Sequence, residues 1–189
     1  MKTLRFYTII ISSLFVVLSC GQAKEKIIEE KSNQQKFYDN FKTLEGKRFS
    51  GTEIFISDTN NSWAHLNLEM FVQEFSDTLI KVPFKVGDNK SRTWMFFMED
   101  ENILRFRHDH RHEDGTPEDL TMYGGYATDE GSEFIQFFPA DQYTCDMLPR
   151  ICDNLWIAEF SEDLSTFSYS LKKGDNLIIT IRFDLTQPL

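Results

Sequence analysis

Three histidines at alternate positions of Leu104-Arg-Phe-Arg-His108-Asp-His110-Arg-His112 are the residues most able to do chemistry in this chain. In a strand, successive side chains point to opposite faces. Leu104, Phe106, His108, His110 and His112 then share one face, and Arg105, Arg107, Asp109 and Arg111 share the other. A His-x-His pair on a strand sets two imidazoles about 7 Å apart on one side, where both can reach one transition-metal ion. His65 is the only other histidine, so a metal site at His108, His110 and His112 needs His65 or a carboxylate to complete it. The same spacing also fits imidazoles that hydrogen-bond inside a polar barrel end or pair with carboxylates. The Arg and Asp face reads as a solvated, charge-paired strand surface, with oxyanion binding by Arg105 and Arg107 as the alternative. Tyr123 follows close in the chain and joins the three histidines as a ligand-binding candidate. The glycine pair after it, Gly124-Gly125, marks a bend or a close backbone approach, because it lacks the strand-to-helix context of a phosphate loop.

Established catalytic patterns are missing. The sequence contains no Gly-x-Ser-x-Gly, no His-Glu-x-x-His and no P-loop. Thirty Asp and Glu make any chosen carboxylate pair meaningless without geometry. With twenty Lys and Arg the formal charge is −10. Nucleic-acid binding is therefore not expected, since phosphate neutralisation needs clustered cations. Binding of the folded domain to an anionic membrane surface is disfavoured for the same reason.

The elements that would position these residues read as strands. Apolar side chains alternate at Ala64, Leu66, Leu68, Met70 and Val72, at Ile80, Val82, Phe84 and Val86, at Phe167, Tyr169 and Leu171, and at Leu177, Ile179, Ile181 and Phe183. Lys173-Gly174-Asp175-Asn176 joins the last two runs as a hairpin turn, and Gly87-Asp88-Asn89 and Asp114-Gly115 punctuate others. About ten strands result, most of 8–12 residues, without a helical crossover. One short amphipathic helix precedes them. Phe37, Phe41 and Leu44 recur at helical spacing, Ser32 or Asn33 caps its start, and Gly46 stands at its end. Eighteen phenylalanines predict a large aromatic core. Strands with one apolar face bury it by closing into a barrel or by sandwiching, and the barrel is the preferred fold.

The chain begins with Lys2 and Arg5, followed by a nearly charge-free stretch from Phe6 to Leu18, a length suited to a signal peptide. Val17-Leu18-Ser19-Cys20-Gly21 resembles the lipobox of bacterial lipoproteins. That resemblance implies removal of residues 1–19, diacylation of Cys20, and a place in the bacterial cell envelope, with the outer membrane favoured over the inner. Residues 20–33 then read as a polar tether and 34–189 as a single domain. Removal of Lys2 and Arg5 takes the formal charge to about −12. With Cys20 assigned to lipid, Cys145 and Cys152 remain and are expected to form a disulfide in an oxidising compartment. Their seven-residue spacing matches no zinc pattern. A short helix before a first strand of the form Gly46-Lys-Arg-Phe49-Ser-Gly51 resembles the opening of lipocalin-like barrels, which implies a helix lying across one barrel end.

Together these readings favour a non-catalytic, membrane-anchored binding module for a small or apolar molecule or an envelope partner. The alternative is a metal- or haem-binding protein using the histidine strand. An envelope enzyme with a histidine general base ranks third.

Overall fold

In the computed structural model, which describes residues 30–189, Ser32 opens the first helix, α1 (Asn33–Asp39), and its hydroxyl accepts from the Gln35 N–H at 3.1 Å. A 3₁₀ turn (Asn40–Leu44) continues it, and Gly46 ends it with φ +77°, a conformation only glycine adopts freely. Cys20 and the stretch expected to be a signal segment lie outside the described residues. Residues 31–189 pack as one unit.

Eleven strands follow: β1 (Arg48–Ile56), β2 (Leu68–Phe71), β3 (Glu74–Phe75), β4 (Leu79–Val86), β5 (Asn89–Met98), β6 (Leu104–His110), β7 (Tyr123–Tyr126), β8 (Ile135–Pro139), β9 (Asn154–Phe160), β10 (Thr166–Lys173) and β11 (Asn176–Asp184). A second helix, α2 (Gln142–Met147), lies between β8 and β9. Ten strands form one path, β7-β6-β5-β4-β2-β1-β11-β10-β9-β8, and β3 adds to β4. Every pairing is antiparallel, and β1 pairs with β11. This is a nearly closed up-and-down barrel behind one short helix, as the alternation predicts; the single continuous sheet replaces the sandwich alternative. The hairpin turns fall at Gly87 and Gly174, with φ +58° and +54°.

The core follows the alternation. On β5 Trp94, Phe96 and Met98 point inward, and on β6 Leu104, Phe106 and His108 do so. Phe37 and Phe41 of the helical segment pack on Phe96, Phe160 and Phe167 with ring centroids 4.9–6.3 Å apart. The Tyr38 hydroxyl donates to Ser76 O at 2.8 Å, and Gln34 Oε1 accepts from Leu104 N. These rings fill one end of the barrel.

Two expectations are corrected. Four strands hold only two to five residues, shorter than the 8–12 expected of most. The segment 63–74 does not run as one strand. The Glu53 carboxylate accepts from Ser62 Oγ and Trp63 N, at 2.8 and 2.5 Å, and Leu66 N donates to Trp63 O. Those bonds curl residues 62–66 into a loop, so Ala64 and His65 are exposed and pairing starts at Leu68.

Between β7 and β8 the barrel closes without a regular ladder. Thr128 N donates to Phe137 O at 3.0 Å and Asp141 N to Gly124 O at 3.1 Å. The buried Thr144 hydroxyl accepts from Gly124 N and donates to Gly124 O, both at 2.8 Å. This close approach is what the glycine pair permits: a Cβ on Gly125 would lie 1.7 Å from Pro139 O, and one on Gly124 2.0 Å from Phe106 O. Backbone on both sides leaves little room to relax. Gly125→Ala is expected to destabilise the fold by about 1–3 kcal/mol or more, read as a lower midpoint in urea. An unchanged midpoint would mean that the seam is not tightly packed.

Candidate functional site

The end of the barrel opposite the phenylalanine plug holds a cavity of about 380 Å³. Cross-strand register arranges its wall in tiers. Phe96 pairs with Phe106 deepest, Trp94 with His108 next, and Arg92 with His110 at the mouth. Phe84, Trp94 and Trp156 supply aromatic walls, and Leu171 and Ile179 complete the apolar side. Trp94 stacks between Phe84 and Tyr169, each at 4.5 Å. Residues 148–151, inside the loop closed by the Cys145–Cys152 disulfide, bring Leu148, Arg150 and Ile151 to the mouth. The expected disulfide is present, and through this loop it shapes the cavity.

His108 is 4% exposed and fully engaged. Its Nδ1 lies 3.4 Å from Tyr123 O, a carbonyl that can only accept, which places the ring proton on Nδ1. Nε2 then accepts from the Tyr169 hydroxyl at 3.0 Å. Tyr123 stacks on the ring at 4.7 Å. Burial, reinforced by His110, pushes the His108 pKa down to about 3, so the ring is neutral at ordinary pH. The Tyr123 hydroxyl donates to His110 Nε2 at 3.0 Å, in the tautomer that turns the Nδ1 proton toward Glu118, 3.8 Å away. Burial and then Arg92 lower the His110 pKa, against the pull of Glu118 and Asp109. Burial raises the hydroxyl of Tyr123 to about 12 and that of Tyr169 well above the usual tyrosine value.

The histidines therefore do not act as a set of three. His108 and His110 face inward with Tyr123, but His112 lies beyond the end of β6, exposed, where Gly115 N bonds back to His112 O in a tight turn. His65 is exposed in the loop before β2. Among the described residues no group of three or more His, Cys, Asp or Glu is arranged to hold a metal ion. The imidazoles bond to tyrosine hydroxyls and backbone, as the hydrogen-bonding alternative has it.

The opposite face of β6 is charge-paired but only partly solvated. Arg105 pairs with Glu99 at 2.6 Å, with its guanidinium 4.8 Å from the Phe97 ring. Arg107 pairs with Asp141 and sits between Tyr126 and Tyr143, and both Arg107 and Asp109 are buried. Packing of this face against the closing seam excludes the water expected there. Burial raises the Asp141 pKa, but the hydrogen bonds from Arg107 and Thr144 outweigh it, and the net shift is downward.

Arg92 is the residue sequence reasoning overlooked. It continues the inward row Trp94, Phe96 and Met98, and an arginine at the end of an apolar row is a readable signal. No family model and no curated protein matches this chain, so its function must be read from this geometry.

A neutral buried imidazole makes stability depend on pH. The unfolded histidine protonates below about 6.5, whereas folded His108 resists protonation down to about 3. The unfolded state thus binds the extra proton, and stability present above about pH 6.5 is lost as pH falls toward 3. Around the ring, His110, Arg92 and Arg107 oppose a second positive charge. His108→Gln is expected to flatten the stability profile over that window, measured by urea unfolding. An equal acid slope in the variant would assign that slope to other groups.

Proposed function

We propose that this chain is a lipid-anchored envelope protein whose barrel holds a small, largely apolar molecule in the cavity beside Trp94, His108 and Trp156. The observation that carries the reading is the cavity: about 380 Å³, walled by aromatic and aliphatic side chains with a few convergent polar groups. Ligand sites have this composition and fall within this size range, and barrel mouths are a preferred place for them. At about 30 Å³ per water, the volume suits a ligand of roughly a dozen non-hydrogen atoms. The polar groups are held in fixed orientations, which lowers the ordering cost of binding. Because both nitrogens of His108 are occupied, the tier favours positioning a guest over moving its protons.

Anchoring rests on the lipobox resemblance at Val17-Leu18-Ser19-Cys20-Gly21. The disulfide is in keeping with an oxidising compartment such as the envelope.

Protein purified gently from its native membrane should carry extra mass in a native mass measurement. Filling the cavity with Leu171→Trp and Ile179→Trp together should remove it. Wild-type protein at its bare mass, identical in behaviour to the double variant, would defeat the binding reading. Labelled fatty acid should be incorporated into the wild-type chain and not into Cys20→Ala; unlabelled, soluble wild-type protein would defeat the anchor.

A further inference from the structure

We infer that the ligand is an organic anion, bound with its charged group on Arg92 and its apolar body among the aromatic walls. This deepens the proposed binding function and rests on it. Arg92 occupies the mouth tier, opposite Phe84 on one neighbouring strand and His110 on the other. Its guanidinium lies 5.8 Å from the Trp63 ring. Nη1 is buried and has no hydrogen-bond partner, and among the described residues no carboxylate forms an ion pair with Arg92. In a chain with ten more acidic than basic residues, a cation left without a carboxylate is conspicuous. Arg105 and Arg107 each also keep one buried nitrogen without a hydrogen bond, but they and Arg111 each have a carboxylate.

A buried donor on a charged group is costly to leave unmade, and the residue that carries it lines the cavity. A carboxylate, sulfonate or phosphate oxygen would satisfy it, and the planar guanidinium fork matches such groups bidentately. Arg150, exposed and without an ion pair among the described residues, adds a second cation at the same mouth. Among the described residues Glu118 is the one acid lining the cavity; it faces His110 Nδ1 at 3.8 Å. The mouth tier therefore carries one acid against two arginines. The apolar walls are Trp94, Trp156, Leu171 and Ile179, which suit a flat or aliphatic body. Charge at the mouth and apolar surface below define an amphipathic anion entering body first.

All three tryptophans of the chain, Trp63, Trp94 and Trp156, line the cavity, so their fluorescence reports its occupancy directly. The test titrates the full chain in non-ionic detergent, with empty micelles as the blank, using phenylbutyrate and its neutral isostere phenylbutyramide. Phenylbutyrate should bind more tightly than the amide. Arg92→Gln should weaken phenylbutyrate by about tenfold to a hundredfold, the loss expected for one charged hydrogen-bonded contact, while leaving the amide within about twofold. Arg92→Lys should fall between, and unchanged urea midpoints would confirm that the variants fold. Equal affinity for the two probes, or an equal loss of both in Arg92→Gln, overturns the anion inference and leaves the binding reading standing. Binding of neither probe overturns both. Weakening of phenylbutyrate in Arg92→Gln with the amide spared cannot come from a purely apolar pocket.

Discussion

A barrel exists only if its two end strands meet, and here that meeting depends on one threonine and two glycines. β7 and β8 make too few backbone bonds for a regular ladder, and an open edge would expose unpaired N–H and C=O groups. The Thr144 hydroxyl stands in for a strand by bonding both backbone groups of Gly124. Gly125 lets the opposing chain come close enough for Asp141 N to reach Gly124 O. Tyr123 sits one residue before this junction. Its carbonyl fixes the tautomer of His108 and its hydroxyl holds His110, so the closure that completes the wall also sets the polar tier of the cavity.

The interior divides its labour along the barrel axis. At one end the helical segment inserts Phe37 and Phe41 among strand phenylalanines, and the space is filled. At the other end no element among the described residues plugs the barrel, and the side chains pair with one another: histidine with tyrosine, tryptophan with phenylalanine. Buried polar groups in such a setting are tolerable only when nearly all are satisfied. His108, His110, Tyr123 and Tyr169 meet that condition through mutual bonds. Arg92 does not, and the contrast within one tier gives the unpaired donor its meaning.

Much of this architecture was legible in the sequence because period-two alternation is a local property. Phe167, Tyr169 and Leu171 against Ile179, Ile181 and Phe183 gave the last hairpin, Gly174 its turn, and Ser32 the helix start. The disulfide followed from chain spacing and the compartment expected from the lipobox resemblance. What stayed hidden depends on partners distant in sequence. The run 63–74 alternates well, yet Glu53 captures its first residues from another strand. His112 continues the histidine period, but Asp114 and Gly115 turn the chain before it can join the wall. Thr144 and Gly124 are twenty residues apart, and no periodicity announces a hydroxyl that replaces a strand. Arg92 was readable in principle, as the charged member of an apolar row, because the register of β5 puts it on the same face as Trp94.

The disulfide ties these parts to the compartment in which the chain is expected to work. α2 has six residues, far below the length at which a helix persists alone in water. It is held by Asp141, whose carboxylate caps it by accepting from Thr144 N, and by the Cys145–Cys152 bond, which closes the loop just beyond it. The same Asp141 anchors the buried Arg107. Loss of the covalent tie would therefore loosen the helix that presents Thr144 to the seam, and with it the support beneath Tyr123. It would also free Leu148 and Ile151 from the mouth. Oxidation is thus coupled both to the closing of the barrel and to the shaping of the cavity, and the short loop that carries it lies where those two tasks coincide.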